Sequence, residues 1–264
     1  MLETLLYFAA AGAAIGFLSG LFGIGGGAFL VPLFILSLAG TVADDLLVQC
    51  AVATSLACIG CMTASAAWAQ HRRQMIDWDT ARWLLIGLVC GVLVGSWYAA
   101  ASASGALMRT LLGVLLLLSA AQTALNWQPA AGLFRLNSRT LLGIGGVTGT
   151  LSAMGGIGGG ILIVPSLLAS GMGIHRATAA SAAGGFAIAL AATSVFSLRG
   201  ADIDQPYSTG LVYWPGVLGV CISGVLTARL GVRINHRTHP LILRWSFASV
   251  GALISGWLLL GDAA

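Results

Sequence analysis

The sequence predicts an all-α integral membrane protein built from two inverted repeats of about five apolar segments each. Three observations predict it. The 264 residues are 58% hydrophobic and only 8% charged, with a mean hydropathy of +0.95, whereas a soluble domain carries about 25% charged residues. The apolar residues fall into ten segments separated by short polar loops. A glycine-rich pattern in the first half also returns in the second at a fixed spacing. Too few charges remain to cover a water-facing surface, so the soluble one- or two-domain reading that the length alone would allow is set aside.

In the first half the segments run about 4–22, 28–40, 46–70, 82–101 and 106–125, and in the second about 140–155, 161–171, 176–198, 210–230 and 240–260. A full crossing needs about 20 apolar residues. The third, fourth and fifth segments of each half meet that. The first two of each half do not comfortably do so. Each such pair is expected to form a hairpin of short or broken helices around a glycine loop, the loops meeting near the membrane midplane. The 37 glycines suit this reading, because glycine is tolerated in membrane helices and lets backbones approach closely.

The duplication is explicit. Gly16-Phe17-Leu18-Ser19, Gly23-Ile24-Gly25-Gly26-Gly27 and Val31-Pro32 return 133 residues later as Gly149-Thr150-Leu151-Ser152, Gly156-Ile157-Gly158-Gly159-Gly160 and Val164-Pro165. Further on, Thr54-Ser55 aligns with Ala180-Ser181, Arg72 and Asp77 with Arg199 and Asp204, and Arg109 with Arg244. Low-complexity apolar sequence would not align an arginine and an aspartate in this way. One transmembrane domain is therefore expected, its first repeat at 1–128 and its second at 129–264. An odd number of segments per half reverses the second relative to the first.

All twelve basic residues are arginines, and most lie in short loops between spans. Membrane orientation explains them better than nucleic acid does. Cytoplasmic loops carry excess basic residues, so loops 71–82, 126–139, 172–176 and the one holding Arg229, Arg233 and Arg237 are assigned to the cytoplasm. Both termini then fall on the other side, with Glu3, Asp44, Asp45, Asp202, Asp204 and Asp262. Met1 to Ala14 lacks the basic start of a secretory signal, so the first segment is expected to be retained. The five cysteines lie in apolar segments and read as packing residues. Cys58-Ile59-Gly60-Cys61 has the spacing of a redox or metal pair but sits inside a predicted span. His71, His175, His236 and His239 fall among loop arginines. No metal and no cofactor is expected.

The glycine runs carry the chemistry. Three consecutive glycines break a helix and leave amides uncovered by side chains. Helices starting at Gly26 and Gly159 would present free N–H groups and a positive dipole end, a ready site for an anion. Irregular backbone inside a bilayer normally lines a polar cavity, and transporters with inverted repeats place broken helices at the repeat interface. The two runs, Gly23-Ile24-Gly25-Gly26-Gly27 and Gly156-Ile157-Gly158-Gly159-Gly160, are thus read as a shared anion cradle, with Ser19, Ser152, Thr54, Ser55 and Ser181 as hydroxyl donors. Simple tight helix packing is the competing reading; two copies followed by Val-Pro favour the site. Pro32 and Pro165 are expected early in their helices, where proline is least disruptive. A phosphate loop is excluded, since no Lys-Ser/Thr follows either run. Arg72, Arg109, Arg199 and Arg244 are candidates for attracting anions or gating, against ordinary snorkelling and topology signalling. Asp77 and Asp204, grouped with them as gating candidates, are expected to bond neighbouring loop backbone or Arg72 and Arg199, with a part in proton coupling as the weaker alternative. No acidic residue or histidine lies well inside a span, so the usual signature of an intramembrane proton relay is missing.

The pattern Gly16-x2-Ser19-Gly20-Leu21-x-Gly23-Ile24-Gly25-Gly26-Gly27-x3-Val31-Pro32, its second copy, the Ala-x-Ala-Thr54-Ser55 run and Arg72 with Asp77 resemble the sulfite exporter TauE/SafE family. The resemblance implies a multi-pass permease of the bacterial inner membrane for a sulfur-containing anion such as sulfite, sulfoacetate or another organosulfonate, usually in the export direction. It implies a small anionic substrate and the lipid bilayer as partners, with no enzymatic reaction. The second copy departs from the first: Ala153-Met154-Gly155 stands for Gly20-Leu21-Phe22 and Ala180 for Thr54, so the two half-sites differ chemically. Transport of a cation, a metal ion or another small organic anion is the alternative. A membrane enzyme or sensor would need a nucleophile, base or metal set that is not visible. The coupling ion and the oligomeric state, a homodimer among the options, stay open.

Overall fold

A computed structural model describes residues 2–22, 27–101, 104–125, 137–199, 206–235 and 240–260. Ten helices occur among them: α1 (Leu2–Phe22), α2 (Gly27–Leu38), α3 (Asp44–Arg72), α4 (Trp78–Ala101), α5 (Gly105–Ala124), α6 (Ser138–Gly155), α7 (Gly160–Ala169), α8 (Ile174–Arg199), α9 (Trp214–Asn235) and α10 (Pro240–Leu260). A two-stranded antiparallel hairpin, β1 (Ser208–Thr209) and β2 (Val212–Tyr213), precedes α9. Helices α3, α4, α5, α8 and α10 are each long and apolar enough to cross a bilayer. Large apolar side chains face outward along the helices, among them Leu118, Leu198, Ile222 and Leu253. In water such a surface would be unsustainable; in hydrocarbon it is the solvated face. The chain is a multi-pass, all-α membrane protein.

Helix starts follow local chemistry. Ser104 caps α5 by accepting the Leu107 N–H at 3.3 Å, and Asn137 caps α6 by accepting from Ser138 at 2.8 Å. Asp77 opens α4, taking the Asp79 N–H and the Thr80 hydroxyl on its two carboxylate oxygens. Such side-chain acceptors satisfy amides that the first helical turn leaves unpaired.

Three expectations need correction. The first segment is not broken: α1 runs as one helix of 21 residues, though its apolar stretch Glu3–Ser19 is shorter than a full span. The ninth segment starts at Trp214 rather than near 210, since Gly210 (φ +58°) and Tyr207 (φ +68°) turn the preceding residues into the hairpin. Pro32 and Pro165 are not early. Each is the sixth residue of its helix, α2 having 12 residues and α7 having 10. Each proline therefore removes a mid-helix bond to the carbonyl four residues back, at Ala28 and Ile161. The brevity of α2 and α7 is as expected.

Packing is dominated by four crossings: α1 on α9, α4 on α6, α3 on α8 and α5 on α10. Glycines let backbones touch. A Cβ placed at Gly91 would strike the Gly146 backbone, while those at Gly87 and Gly95 would meet Leu142 and Thr150, so α4 and α6 run parallel. Gly12 meets Val220 and Gly16 meets Gly224, so α1 and α9 are parallel too. By contrast Gly60 faces Ala189 while Gly185 faces Thr63, which makes α3 and α8 antiparallel. Gly113 against Leu259 and Gly251 against Ala120 make α5 and α10 antiparallel as well. The enclosed core lies along α3, where Leu47 to Ile59 is continuously buried.

Candidate functional site

Of the two glycine runs, Gly23, Ile24, Gly25 and Gly26 lie outside the described residues; Gly27 opens α2. The second run is described throughout. Helix α6 ends at Gly155, and Gly156 leaves it in the left-handed region (φ +67°). The Ile157 N–H turns back to the Ser152 carbonyl at 3.1 Å. Gly159 (φ +73°) then caps α7, one residue later than a start at Gly159 itself, and its carbonyl accepts from Leu162 and Ile163. Only glycine adopts both left-handed positions without strain, which is why the sequence breaks here. The first amides of α7 have no acceptor in their own helix.

The start of α2 meets the second break. A Cβ at Gly27 would lie 3.0 Å from the Gly158 amide nitrogen and 3.3 Å from the Gly156 carbonyl oxygen. The positive ends of two short helices thus converge on one junction. Ile59 bounds it from α3: its Cδ1 is 2.9 Å from the Gly27 position and its Cγ2 2.5 Å from the Gly158 position. Gly185 bounds it from α8, 2.7 Å from the Gly158 carbonyl when given a Cβ. Both were missed in the sequence, although Ile59 sits one helical turn beyond Ser55 on the same face.

The hydroxyls divide. Ser55 donates to the Gly156 carbonyl at 3.2 Å, tying α3 to the second glycine run. Thr54 does not stand free; its Oγ1 accepts the Tyr213 N–H at 3.1 Å. Ser152 is fully buried, and its hydroxyl has no hydrogen-bond partner among the described residues. Helical serines and threonines often bond the carbonyl one turn back, as Ser96, Thr148 and Ser255 do here. Ser152 is turned away from that bond. Ser181 is buried and Ser19 half-buried.

The described charged candidates lie at helix ends. Arg72 is exposed at the end of α3. Arg199, at the end of α8, lies over the Trp97 ring at 3.1 Å from its centroid. Arg109 and Arg244 are half-buried at equivalent fifth positions of α5 and α10. Asp77 serves as the α4 cap, and Asp204 lies outside the described residues. At the Arg72 end a groove of about 510 Å³ opens between α3, α4 and α8, lined by Trp68, His71, Trp78 and Phe186 among others.

A multi-pass helical membrane protein with a glycine-broken junction between short helices has an architecture found in membrane transporters. The family model of sulfite exporter TauE/SafE matches residues 8–258, and the chain belongs to that family. It is 32% identical to a probable membrane transporter protein of Haemophilus influenzae, over 90% of this chain and 91% of the relative. It is 28% identical to a probable membrane transporter protein of Methanocaldococcus jannaschii, over 94% of this chain and 93% of the relative. No solved structure matches it significantly.

Proposed function

We propose that this chain is a secondary transporter of a small sulfur-containing anion, such as sulfite, sulfoacetate or another organosulfonate. It moves that anion outward across the cell inner membrane by alternating access between inverted repeats 1–128 and 129–264. The observation that carries the reading is the approach of Gly27 to Gly156 and Gly158. Amides from two helix N-termini there can share one anion, with the buried Ser152 hydroxyl as a further donor.

Inversion is supported by the packing. The Gly12 and Gly16 crossing onto Val220 and Gly224 has its counterpart 133 residues on, where Gly145 and Gly149 pack against the α4 backbone around Gly87 and Leu88. The antiparallel pairs α3 with α8 and α5 with α10 are the orientation that equivalent helices of inverted halves adopt. Arg72, Arg109, Arg199 and Arg244, at helix ends, raise the local anion concentration.

The test is uptake of sulfite and sulfoacetate by proteoliposomes holding the purified protein. Gly159→Leu and Gly27→Leu are expected to abolish it in protein that keeps its helical circular dichroism, although the close packing at both positions lowers the melting temperature. Unchanged uptake in both variants would overturn the site. Uptake of sodium or nickel without any oxyanion would overturn the substrate class.

A further inference from the structure

We infer that the β1–β2 hairpin is the gate that closes one end of the pathway and that Thr54 is its latch. The inference rests on the transport reading above and adds to it a moving part and a positioning residue.

The hairpin is built into the helices rather than lying over them. Its Tyr213 N–H reaches Thr54, which is fully buried and ten residues into α3, about 15 Å along the helix axis. The Leu211 N–H donates to the Phe196 carbonyl of α8 at 3.0 Å. At Gly210 a Cβ would lie 2.5 Å from the Ser197 carbonyl oxygen, so the turn rests directly on the α8 backbone. Leu211 and Val212 are buried. The space left beneath, lined by Leu38, Cys50, Leu211 and Tyr213 among others, is about 10 Å³, no more than one water needs. That cavity is too small to hold an anion.

The other end differs. The matching connection after α3 is the short stretch 73–77 with no strand in it, and the groove of about 510 Å³ opens beside it. The position matching Thr54 is Ala180, which has no hydroxyl to offer. Latch and hairpin are therefore both present on one side and both missing on the other. The neighbouring residue completes the device: Ser55 bonds the glycine run while Thr54 bonds the hairpin. Adjacent side chains on one rigid helix thus join the anion junction to the gate. Thr54 still has its own hydroxyl proton to donate, and accepting the Tyr213 N–H polarises it.

The test uses native Cys50, which lies under the hairpin, with Cys58, Cys61, Cys90 and Cys221 replaced by alanine. The rate of Cys50 alkylation by a charged, water-soluble maleimide is measured on the detergent-purified full chain. Thr54→Val removes the acceptor and Thr54→Ser keeps it. The valine variant is expected to label about tenfold faster than its parent, as loss of one hydrogen bond predicts, and the serine variant at the parental rate. Gly210→Val, which wedges the turn off α8 without touching α3, is expected to accelerate labelling as well. A helical melt checks that each variant is folded. Parental rates in both the Thr54→Val and Gly210→Val variants would overturn the gate. The measurement needs no substrate. Fast labelling in a protein that moves no anion would refute the transport reading and leave the hinged hairpin standing. Sulfite uptake with labelling insensitive to both variants would refute the gate alone.

Discussion

The glycine junction offers a sharp energetic test through Ile59 and Gly158. All three atoms nearest a Cβ at Gly158 belong to Ile59: Cγ2 at 2.5 Å, Cδ1 at 3.6 Å and Cβ at 3.7 Å. Gly158 is not in the left-handed region, so alanine suits its backbone and only Ile59 opposes it. Alone, Gly158→Ala overpacks the junction and is expected to destabilise by about 1–3 kcal/mol. Ile59→Ala empties a fully buried site and is expected to cost about 2–5 kcal/mol. In the Ile59→Ala background the obstruction is gone. The alanine methyl then enters vacated space, and the Gly158 change becomes neutral or stabilising by about 0.4–1 kcal/mol through the unfolded chain. The double variant should therefore fall short of the summed single effects by at least about 1 kcal/mol. Denaturant unfolding in micelles, followed by helical circular dichroism on all four proteins, reads this coupling. Additivity within about 0.5 kcal/mol, the behaviour of independent sites, would refute the contact between the α3 face and the second glycine run.

Three further outcomes follow from the packing. Ser55→Ala leaves the Gly156 carbonyl without its 3.2 Å donor and is expected to lower stability by about 1–3 kcal/mol in the same assay. Gly91→Ala, which drives a methyl into the Gly146 backbone, should lower the melting temperature. Gly143→Ala, with open space around it, should hold or raise it, since alanine is the better helix former. Arg199→Gln and Trp97→Leu should each remove the guanidinium–ring contact, about 0.5–1 kcal/mol at an exposed site. Combining them should cost less than the two single losses together.

Much of the architecture was legible because bilayer residence writes it into composition. Each of the ten apolar segments corresponds to a helix, and the shortness of α2 and α7 followed from the glycine runs that precede them. The repeat led us to expect the two glycine runs to meet; the described residues place Gly27 beside Gly158, and the rest of the first run lies outside them. The hairpin was not, because Leu211, Val212 and Tyr213 are as apolar as the span they precede. Only the left-handed turns at Tyr207 and Gly210 set them apart, and a left-handed tyrosine leaves no mark in a sequence. Thr54 was read as a free donor because its partner is a backbone amide 159 residues away. Ile59 looked like ordinary core, since nothing local distinguishes an isoleucine facing glycines from one facing leucines. Asp77 needed a choice between loop backbone and Arg72, and the start of α4 at the next residue decides it.

The parallel crossing of α1 on α9 has a consequence for how the chain is made. Gly16 finds Gly224 only after a helix 208 residues further along the chain has left the ribosome. Until then α1 stands in the lipid with a bare groove of glycines where α9 will pack. A chain truncated before α9, or the two halves produced as separate polypeptides, would leave that groove open, and membrane quality control would meet an orphan helix.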